Sequence, residues 1–218
     1  MTVIFVALTI LFFLGVDWIL QRRKEARSVV PALAGAQEAR VRLPSGVFFA
    51  PSHTWLNLFP SGRAWLGIDD FVVRLLERPR VRFLKETGSQ VSRGDALLVI
   101  EDGERQLTVQ SPLDGRVTAL NSKLLKRPGA LRQAPFCEGW ACEIRPDRQA
   151  DLKSLMLGDE SAGWMQREFG RLRDVLAGAG PELSPAMLQD GGPPIAGAMK
   201  HVSREVWTRF EREFLEVR

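Results

Sequence analysis

The chain has 218 residues, of which 45% are hydrophobic, and a formal net charge of +4. This length provides for one well-buried domain with additional segments. Acidic and basic residues are interleaved along most of the chain, without the one-sign run and aromatic partners of a nucleic-acid-binding surface. We therefore expect no nucleic-acid partner. The sequence also contains no phosphate-binding loop or metal-ligand motif, so we predict no cofactor, no metal and no small-molecule substrate.

The N-terminal run Val3–Leu20 predicts a transmembrane helix. As a helix it would be about 27 Å long, close to the roughly 30 Å hydrocarbon core of a bilayer. A cleavable signal peptide carries its positive charge before the apolar run, whereas the basic cluster at residues 21–27 follows it here. The positive-inside rule then predicts an uncleaved inner-membrane anchor over residues 1–21, with the N-terminus outside and the rest of the chain cytoplasmic. We interpret Asp17 as an interfacial acid, with a contact to a partner helix as the alternative.

Residues 28–46 are rich in Ala, Gly, Val and Pro. With the end of the basic cluster before them, they predict a linker from the membrane to a domain over residues 22–46. From residue 47 the sequence changes to short apolar runs separated by glycines, which predicts several short strands in a barrel or sandwich. The basic stretch Arg74–Lys85 has two interpretations. We favour a solvated strand face over a docking patch for an anion.

Residues 97–110 predict a β-hairpin, because Asp102-Gly103 is a strong turn signal between β-forming residues. If these are the two central residues of the turn, Glu101 and Glu104 face each other across it. Such a like-charge pair costs at most a few tenths of a kcal/mol at an exposed tip. No lysine lies between Lys85 and Lys123, so the predicted hairpin offers no amine.

Three further side chains could suggest chemistry, and we interpret each as structural. Cys137 and Cys142 lack the paired histidines of a zinc site. We predict that both are reduced and structural, in preference to a redox pair. His53 has no serine or cysteine nucleophile at a recognisable spacing, so a catalytic role is not favoured.

The C-terminal region predicts two helices separated by a Gly/Pro-rich linker at residues 179–200. The first begins near Asp159 and ends near Gly178, and we expect it to pack on the β-domain, which then spans residues 47–178. The second, at residues 201–218, is amphipathic, with Trp207 beside its apolar stripe. The stripe consists of Val202, Val206, Phe210, Phe214 and Val217. This helix could dock on its own domain, enter the groove of a partner or lie on a membrane. The acids and bases on its polar face weaken the membrane interpretation, and the sequence favours neither of the other two.

Five short motifs follow one another in the predicted β-domain. They are His53-Thr54-Trp55, Leu66-Gly67-Ile68-Asp69-Asp70-Phe71, Val81-Arg82-Phe83-Leu84 with Gly88 and Gly94, Ser111-Pro112-Leu113-Asp114-Gly115-Arg116-Val117 with Asn121, and Pro135 with Glu138-Gly139-Trp140 and Ile144. In this order the motifs resemble those of the glycine cleavage H-protein family. The resemblance implies a mainly β fold, the flattened lipoyl/biotinyl-type barrel-sandwich. With the features above, this predicts such a barrel with C-terminal α-helices and one N-terminal transmembrane helix.

The resemblance also implies where a cofactor would be attached. In the family, a lipoyl group on one lysine at the hairpin tip moves between enzymes, and the protein only positions it. Glu104 stands where the family pattern places that lysine, seven residues before Ser111-Pro112. A carboxylate cannot form the lipoyl amide, so the resemblance implies the fold without its usual carrier function.

These expectations lead to one preferred function and one alternative. We predict a membrane-anchored, non-catalytic adaptor or subunit of a membrane complex, with no lipoyl group and an unidentified protein partner. The alternative is a true carrier modified at Lys85 or Lys123. The candidate interaction residues are Asp102, Gly103, Glu104, Arg105, Trp207, Phe210 and Phe214.

Overall fold

The computed structural model describes residues 41–177 and 197–217. The predicted anchor at residues 1–21 lies outside these residues, as do most of the two predicted linkers. Within the described part of the chain, no helix is long and apolar enough to cross a membrane.

The strands form two antiparallel sheets, as expected for a mainly β domain. The larger sheet has the order β1-β2-β3-β9-β8-β5, and the smaller has the order β4-β6-β7. The strands are β1 Phe48–Phe49, β2 Thr54–Leu58, β3 Ala64–Ile68, β4 Arg80–Phe83, β5 Gln90–Val91, β6 Ala96–Asp102, β7 Arg105–Gln110, β8 Gly115–Leu120 and β9 Cys142–Pro146.

Strand β6 is the centre of the smaller sheet and is covered on both faces. Leu98 and Ile100 belong to one hydrophobic cluster and Leu97 to the other. Their partners across β7 are also buried, since Leu98 pairs with Val109 and Ile100 with Leu107. The uninterrupted apolar run from Leu97 to Ile100 is the sequence pattern of a strand buried on both sides, and it anchors the hairpin in the core.

Short helices connect the strands, and one long helix follows them. They are α1 Asp70–Leu75, α2 Lys123–Lys126, α3 Ala130–Gln133, a 3₁₀ turn at Gln149–Ser154 and α4 Asp159–Ala177. Helix α4 confirms the prediction of a helix from Asp159. Its residues Met165, Leu172 and Leu176 are buried, as their helical spacing predicts.

The C-terminal segment is not the single helix that we predicted at residues 201–218. A 3₁₀ turn occupies Ala198–His201, helix α5 runs from Arg204 to Phe210, and one π-helical turn follows at Glu211–Leu215. The break has a local cause, because the Ser203 hydroxyl caps α5 by accepting a hydrogen bond from the Val206 N–H. This segment packs against β7 and α4. Docking on its own domain is therefore the alternative that the structure shows.

The domain also begins earlier than predicted. Val41 and Leu43, assigned to the linker from the sequence, are partly buried against the core. Arg42 donates to the Asp70 carboxylate at 2.7 Å. At the other boundary, the N–H of Gly197 bonds to the carbonyl of Arg74. Residues 41–46 and 197–200 are thus part of the folded domain.

Candidate functional site

The β6–β7 hairpin has a turn that differs from the prediction by one residue. Asp102 pairs with Arg105 and Glu101 with Gln106, so Gly103 and Glu104 are the central residues. Gly103 has φ 66°, whereas Glu104 has no positive φ. A positive φ at the first central residue alone is the pattern of a type II′ turn. The predicted Glu101–Glu104 pair is therefore wrong, and Glu101 instead binds Arg82 at 2.8 Å.

Contacts distant in sequence hold Asp102 in the strand and thus determine the turn. Its carboxylate accepts hydrogen bonds from the backbone N–H groups of Glu77 at 2.9 Å and Arg78 at 2.7 Å. A carboxylate that accepts two backbone N–H bonds makes strong, oriented contacts. The bonds attach one side of the hairpin to the segment that connects α1 and β4.

Arg105 attaches the other side of the hairpin to the C-terminal segment. Its guanidinium donates to the carbonyl of Met199 at 3.0 Å and to the carbonyl of Val202. It also lies over the Trp207 ring, with its Cζ 5.2 Å from the ring centroid, which is within cation–π range. Asp102 and Arg105 are both half-buried, so they fix the hairpin rather than present a free surface.

The C-terminal segment covers the edge of β7, the end strand of the smaller sheet. The Trp207 Nε1–H donates to the Gln106 carbonyl at 2.7 Å. The Thr108 N–H donates to the Glu211 carboxylate at 2.6 Å. An end strand otherwise presents unpaired N–H and C=O groups to other chains. Here side chains of the segment occupy two of those groups, the Gln106 carbonyl and the Thr108 N–H.

The three aromatic residues proposed as an interaction surface are buried in the domain. Trp207 is 5% exposed, and Phe210 and Phe214 are 0% exposed. The Phe214 ring lies 4.9 Å from Phe210 and 5.7 Å from Phe71, centroid to centroid. A partner-facing role for these side chains is therefore wrong for this conformation, because the apolar stripe is buried against its own domain.

His53 lies at the junction of the β-domain, α4 and the C-terminal segment. It is 0% exposed, and its Nδ1 lies 2.7 Å from Asp69, whose other carboxylate oxygen caps α1. Its Nε2 is 3.6 Å from Glu168, an ionic contact beyond hydrogen-bond length. The ring stacks on Phe71 with centroids 4.4 Å apart. These contacts place the imidazole in the core, as a structural residue.

The pKa of His53 is raised to about 8 by its two acidic neighbours. Burial alone lowers the pKa, because it disfavours the charged imidazolium, but Asp69 and Glu168 together outweigh that effect. Burial by itself raises the pKa of Glu168, but His53 and Arg171 lower this pKa by more, so that its net direction is down. The group therefore behaves as a buried cation between two carboxylates.

The two cysteines lie in different environments. Cys137 is exposed and Cys142 is buried, and both are free thiols. Burial raises the pKa of the Cys142 thiol to about 12, which disfavours the reactive thiolate. Among the described residues, no group of three or more His, Cys, Asp or Glu could hold a metal ion.

Comparison with known proteins identifies the fold and its family. The family model "Glycine cleavage H-protein" matches residues 47–168, which is more than half of the chain. The chain belongs to the glycine cleavage H-protein family. Among its relatives, the glycine cleavage system H protein of Psychrobacter sp. (strain PRwf-1) is 32% identical over 118 residues, covering 54% of this chain and 94% of the relative.

Further relatives agree with this family assignment. The glycine cleavage system H protein of Methylococcus capsulatus is 32% identical over 114 residues, covering 52% of this chain and 89% of that protein. The crystal structure of a glycine cleavage system H protein from Mycobacterium marinum has a TM-score of 0.50 at 22% identity, covering 56% of this chain and 98% of that one. That structure supports the shared fold. The predicted H-protein resemblance is thereby confirmed.

In this H-protein-family chain, the exposed part of the hairpin is small. Gly103 and Glu104 are exposed at the turn, between the half-buried Asp102 and Arg105. The family match ends at residue 168, so the segment that covers β7 lies outside it. The chain thus combines an H-protein hairpin with a cover from residues beyond the matched region.

The lysines named in the alternative prediction are not at this turn. Lys85 lies just after β4, at the end of that strand that is farther from the turn, where Phe83 pairs with Leu98. Its Nζ binds the Asp95 carboxylate at 3.2 Å. Lys123 begins α2. Sequence reasoning missed Lys200, which follows the Met199 that Arg105 contacts. Its Nζ binds Glu77 at 2.9 Å, and only the folded chain brings it near the hairpin.

Proposed function

We propose that this chain is an H-protein-family module without a lipoyl group that acts as a non-catalytic adaptor or subunit of a membrane complex. The main observation in support of this proposal is that Glu104 lies at the exposed tip of the hairpin, next to Gly103. The family pattern places the lipoyl lysine at this position. The fold and its hairpin are retained, while the attachment chemistry is missing.

Lipoyl attachment forms an amide on a lysine ε-nitrogen, and a carboxylate cannot replace that nucleophile. Lys85 is the nearest lysine before the hairpin in sequence, and Lys200 follows the Met199 that Arg105 contacts. These two lysines are engaged in ion pairs with Asp95 and Glu77. Neither side chain projects from the turn. The geometry therefore favours a tip that presents a carboxylate on a turn held at both neighbouring residues.

The tip is well suited to recognition because it is held from both sides. The bonds of Asp102 to Glu77 and Arg78 and those of Arg105 to Met199 and Val202 limit its motion. A pre-organised turn loses less backbone conformational entropy when it binds. The Glu104 carboxylate fits a partner that offers a cation or a set of N–H donors.

The membrane part of the proposal is supported by the sequence of Val3–Leu20 and the basic cluster after it.

Intact-mass measurement tests the missing modification. The full chain is co-expressed with a lipoate ligase in the presence of lipoate, and we expect the unmodified mass. The Glu104→Lys variant is the matched control, because it places an amine at the same turn position and shows whether the ligase acts on this hairpin.

A lipoyl increment on the wild-type chain would overturn the proposal and support the carrier alternative. In that case Lys85→Arg, Lys123→Arg and Lys200→Arg variants would locate the modified lysine, because arginine keeps the charge but does not form the amide.

A pull-down in mild detergent tests the adaptor role of the tip. The tagged full chain is compared with Glu104→Arg, which reverses the exposed charge, and with Glu160→Arg, a control at an exposed acid in the first turn of α4. We expect a specific partner to be retained by the control and lost from the Glu104 variant. Equal recovery with both variants would show that the tip is not the docking site.

A further inference from the structure

A second surface on this domain combines basic and exposed apolar side chains. It is formed by β4, the other end strand of the smaller sheet, by α2, which packs against it, and by the residue that follows each of these elements. We call it the basic–leucine surface. It consists of Arg80, Arg82, Leu84, Lys123, Leu125, Lys126 and Arg127, all of which are exposed.

The two leucines are unusually exposed for this protein. Leu84 is 42% and Leu125 is 58% exposed, and the described residues contain only one other exposed large hydrophobic residue, Leu157. In α2 the neighbouring Leu124 is fully buried. Since consecutive helical residues point in different directions, burial of Leu124 in the core turns Leu125 toward solvent.

The surface also carries an excess of positive charge. Arg82 binds Glu101 at 2.8 Å, and Arg127 has only a distant contact of 4.0 Å with Glu138. No carboxylate in the described part of the chain forms an ion pair with Arg80, Lys123 or Lys126. The charge of the surface is therefore available to an anionic partner.

We propose that the basic–leucine surface rests on an anionic membrane, with Leu84 and Leu125 entering the interface and the cationic groups contacting lipid phosphates. Leucines surrounded by Lys and Arg are typical of interfacial contacts, in which apolar groups enter the acyl boundary and cations remain at the headgroups. The inference rests on the proposed function for the presence of a membrane, and it adds which face of the domain meets it.

A lipid surface fits these observations better than an acidic protein does. The leucines come from two separate elements and stand singly among charges, and a fluid bilayer accepts such groups without a shaped groove. The apolar run Val3–Leu20 and the basic cluster after it would also keep the domain near the bilayer. Tethering raises the effective concentration of even a weak contact, and basic residues add attraction to anionic lipids.

The test measures whether Leu125 is shielded by lipid in the full chain. A polarity-sensitive fluorophore is attached to Leu125→Cys in a Cys137→Ser background, with the buried Cys142 left in place. A matched probe at Gln166→Cys reports on an exposed position of α4. Both proteins are reconstituted into nanodiscs of phosphatidylcholine, with or without phosphatidylglycerol, and quenched with acrylamide.

We expect phosphatidylglycerol to lower quenching of the Leu125 probe at least about threefold, since each basic residue of the surface adds attraction to the anionic lipid. Quenching of the Gln166 probe should be the same in both lipids. Combining Lys123→Glu, Lys126→Glu and Arg127→Glu should restore quenching. Equal quenching in both lipids, with the chain co-eluting with the discs, would overturn this inference alone.

Two other outcomes are also decisive. If the chain does not co-elute with the discs, the prediction of a membrane anchor is wrong. If, in addition, added phosphatidylglycerol vesicles do not shield the Leu125 probe, the proposed membrane contact of the basic–leucine surface is wrong as well. If polyglutamate shields the Leu125 probe in phosphatidylcholine discs while phosphatidylglycerol does not, the surface binds an acidic polypeptide and the lipid assignment is wrong.

Discussion

At the scale of single residues, the charge of one buried imidazole stabilises the domain. His53 lies between Asp69 and Glu168 and contacts the rings of Phe71, Trp164 and Phe214. The charged form of a fully buried group is stable only when opposite charges compensate for the loss of water. Both carboxylates provide that compensation here, and they join three parts of the chain through one side chain.

Stability should fall as the pH rises through the pKa of His53. This pKa is raised from 6.5 to about 8, so the protonated group contributes fully below about pH 6.5 and its contribution is lost as the pH passes 8. A shift of this size corresponds to about 2 kcal/mol. Urea unfolding of the full chain in mild detergent at pH 6 and pH 9 measures the difference.

His53→Asn is the matched variant for this pH test. Asparagine tolerates the left-handed backbone at this position, where φ is 57°, but it carries no charge. Its stability should therefore change much less between pH 6 and pH 9. The same pH slope in both proteins would assign the effect to another group.

At the scale of secondary-structure elements, the C-terminal segment completes the smaller sheet. Strand β7 has β6 on one side, and on the other side it has Trp207, Glu211 and the Val217 N–H, which donates to the Gln110 side chain at 2.8 Å. These contacts come from side chains and single backbone groups rather than from another strand. They satisfy the Gln106 carbonyl and the Thr108 N–H of the edge without extending the sheet.

Replacing Trp207 with phenylalanine should weaken this cover. The variant keeps most of the ring but removes the Nε1–H that donates to the Gln106 carbonyl. A net loss of about 0.5–1.5 kcal/mol is expected for one hydrogen bond, with faster amide exchange at Thr108 and in α5. Thr208→Val, at an exposed position of the same helix, is the control. Unchanged exchange in the Phe variant would show that the indole bond does not hold the segment.

At the scale of the whole molecule, the two ends of the described chain both contribute to the larger of the domain's two hydrophobic clusters. Val41 and Leu43 pack at one end, and Phe210, Phe214 and Leu215 pack at the other. The segment at residues 197–217 lies outside the family match, yet its side chains join the main hydrophobic cluster. Its removal should therefore affect both stability and association.

A chain truncated after residue 196 should be less stable than the full chain and should self-associate. It loses the buried Phe210 and Phe214, and truncation of a buried aromatic typically costs about 3–5 kcal/mol. It also exposes the edge of β7 as a template for other chains. Light scattering and urea unfolding in detergent measure the two effects. Arg212→Ala, at an exposed position, is the control, and a monomeric truncated chain of wild-type stability would refute the covering role.

The sequence alone determined the features that depend on local patterns. Short apolar runs separated by glycines, the Asp102-Gly103 pair and the family motifs predicted the strands, the hairpin and the H-protein fold. Helical spacing from Asp159 predicted α4 in the same way. The absence of an amine between Lys85 and Lys123 is also a property of the sequence, and the proposal of a non-lipoylated module depends on it.

Only the tertiary structure decided features that depend on contacts distant in the chain. The turn shifted by one residue because Asp102 is held by Glu77 and Arg78. The apolar stripe of the last helix could fit its own domain or a partner equally well, until its contacts with β7 showed that it docks on itself. The tertiary structure also brings the basic residues of β4 next to α2, which contains Leu125. These residues are about forty positions apart in the chain and become adjacent only when α2 packs on the sheet.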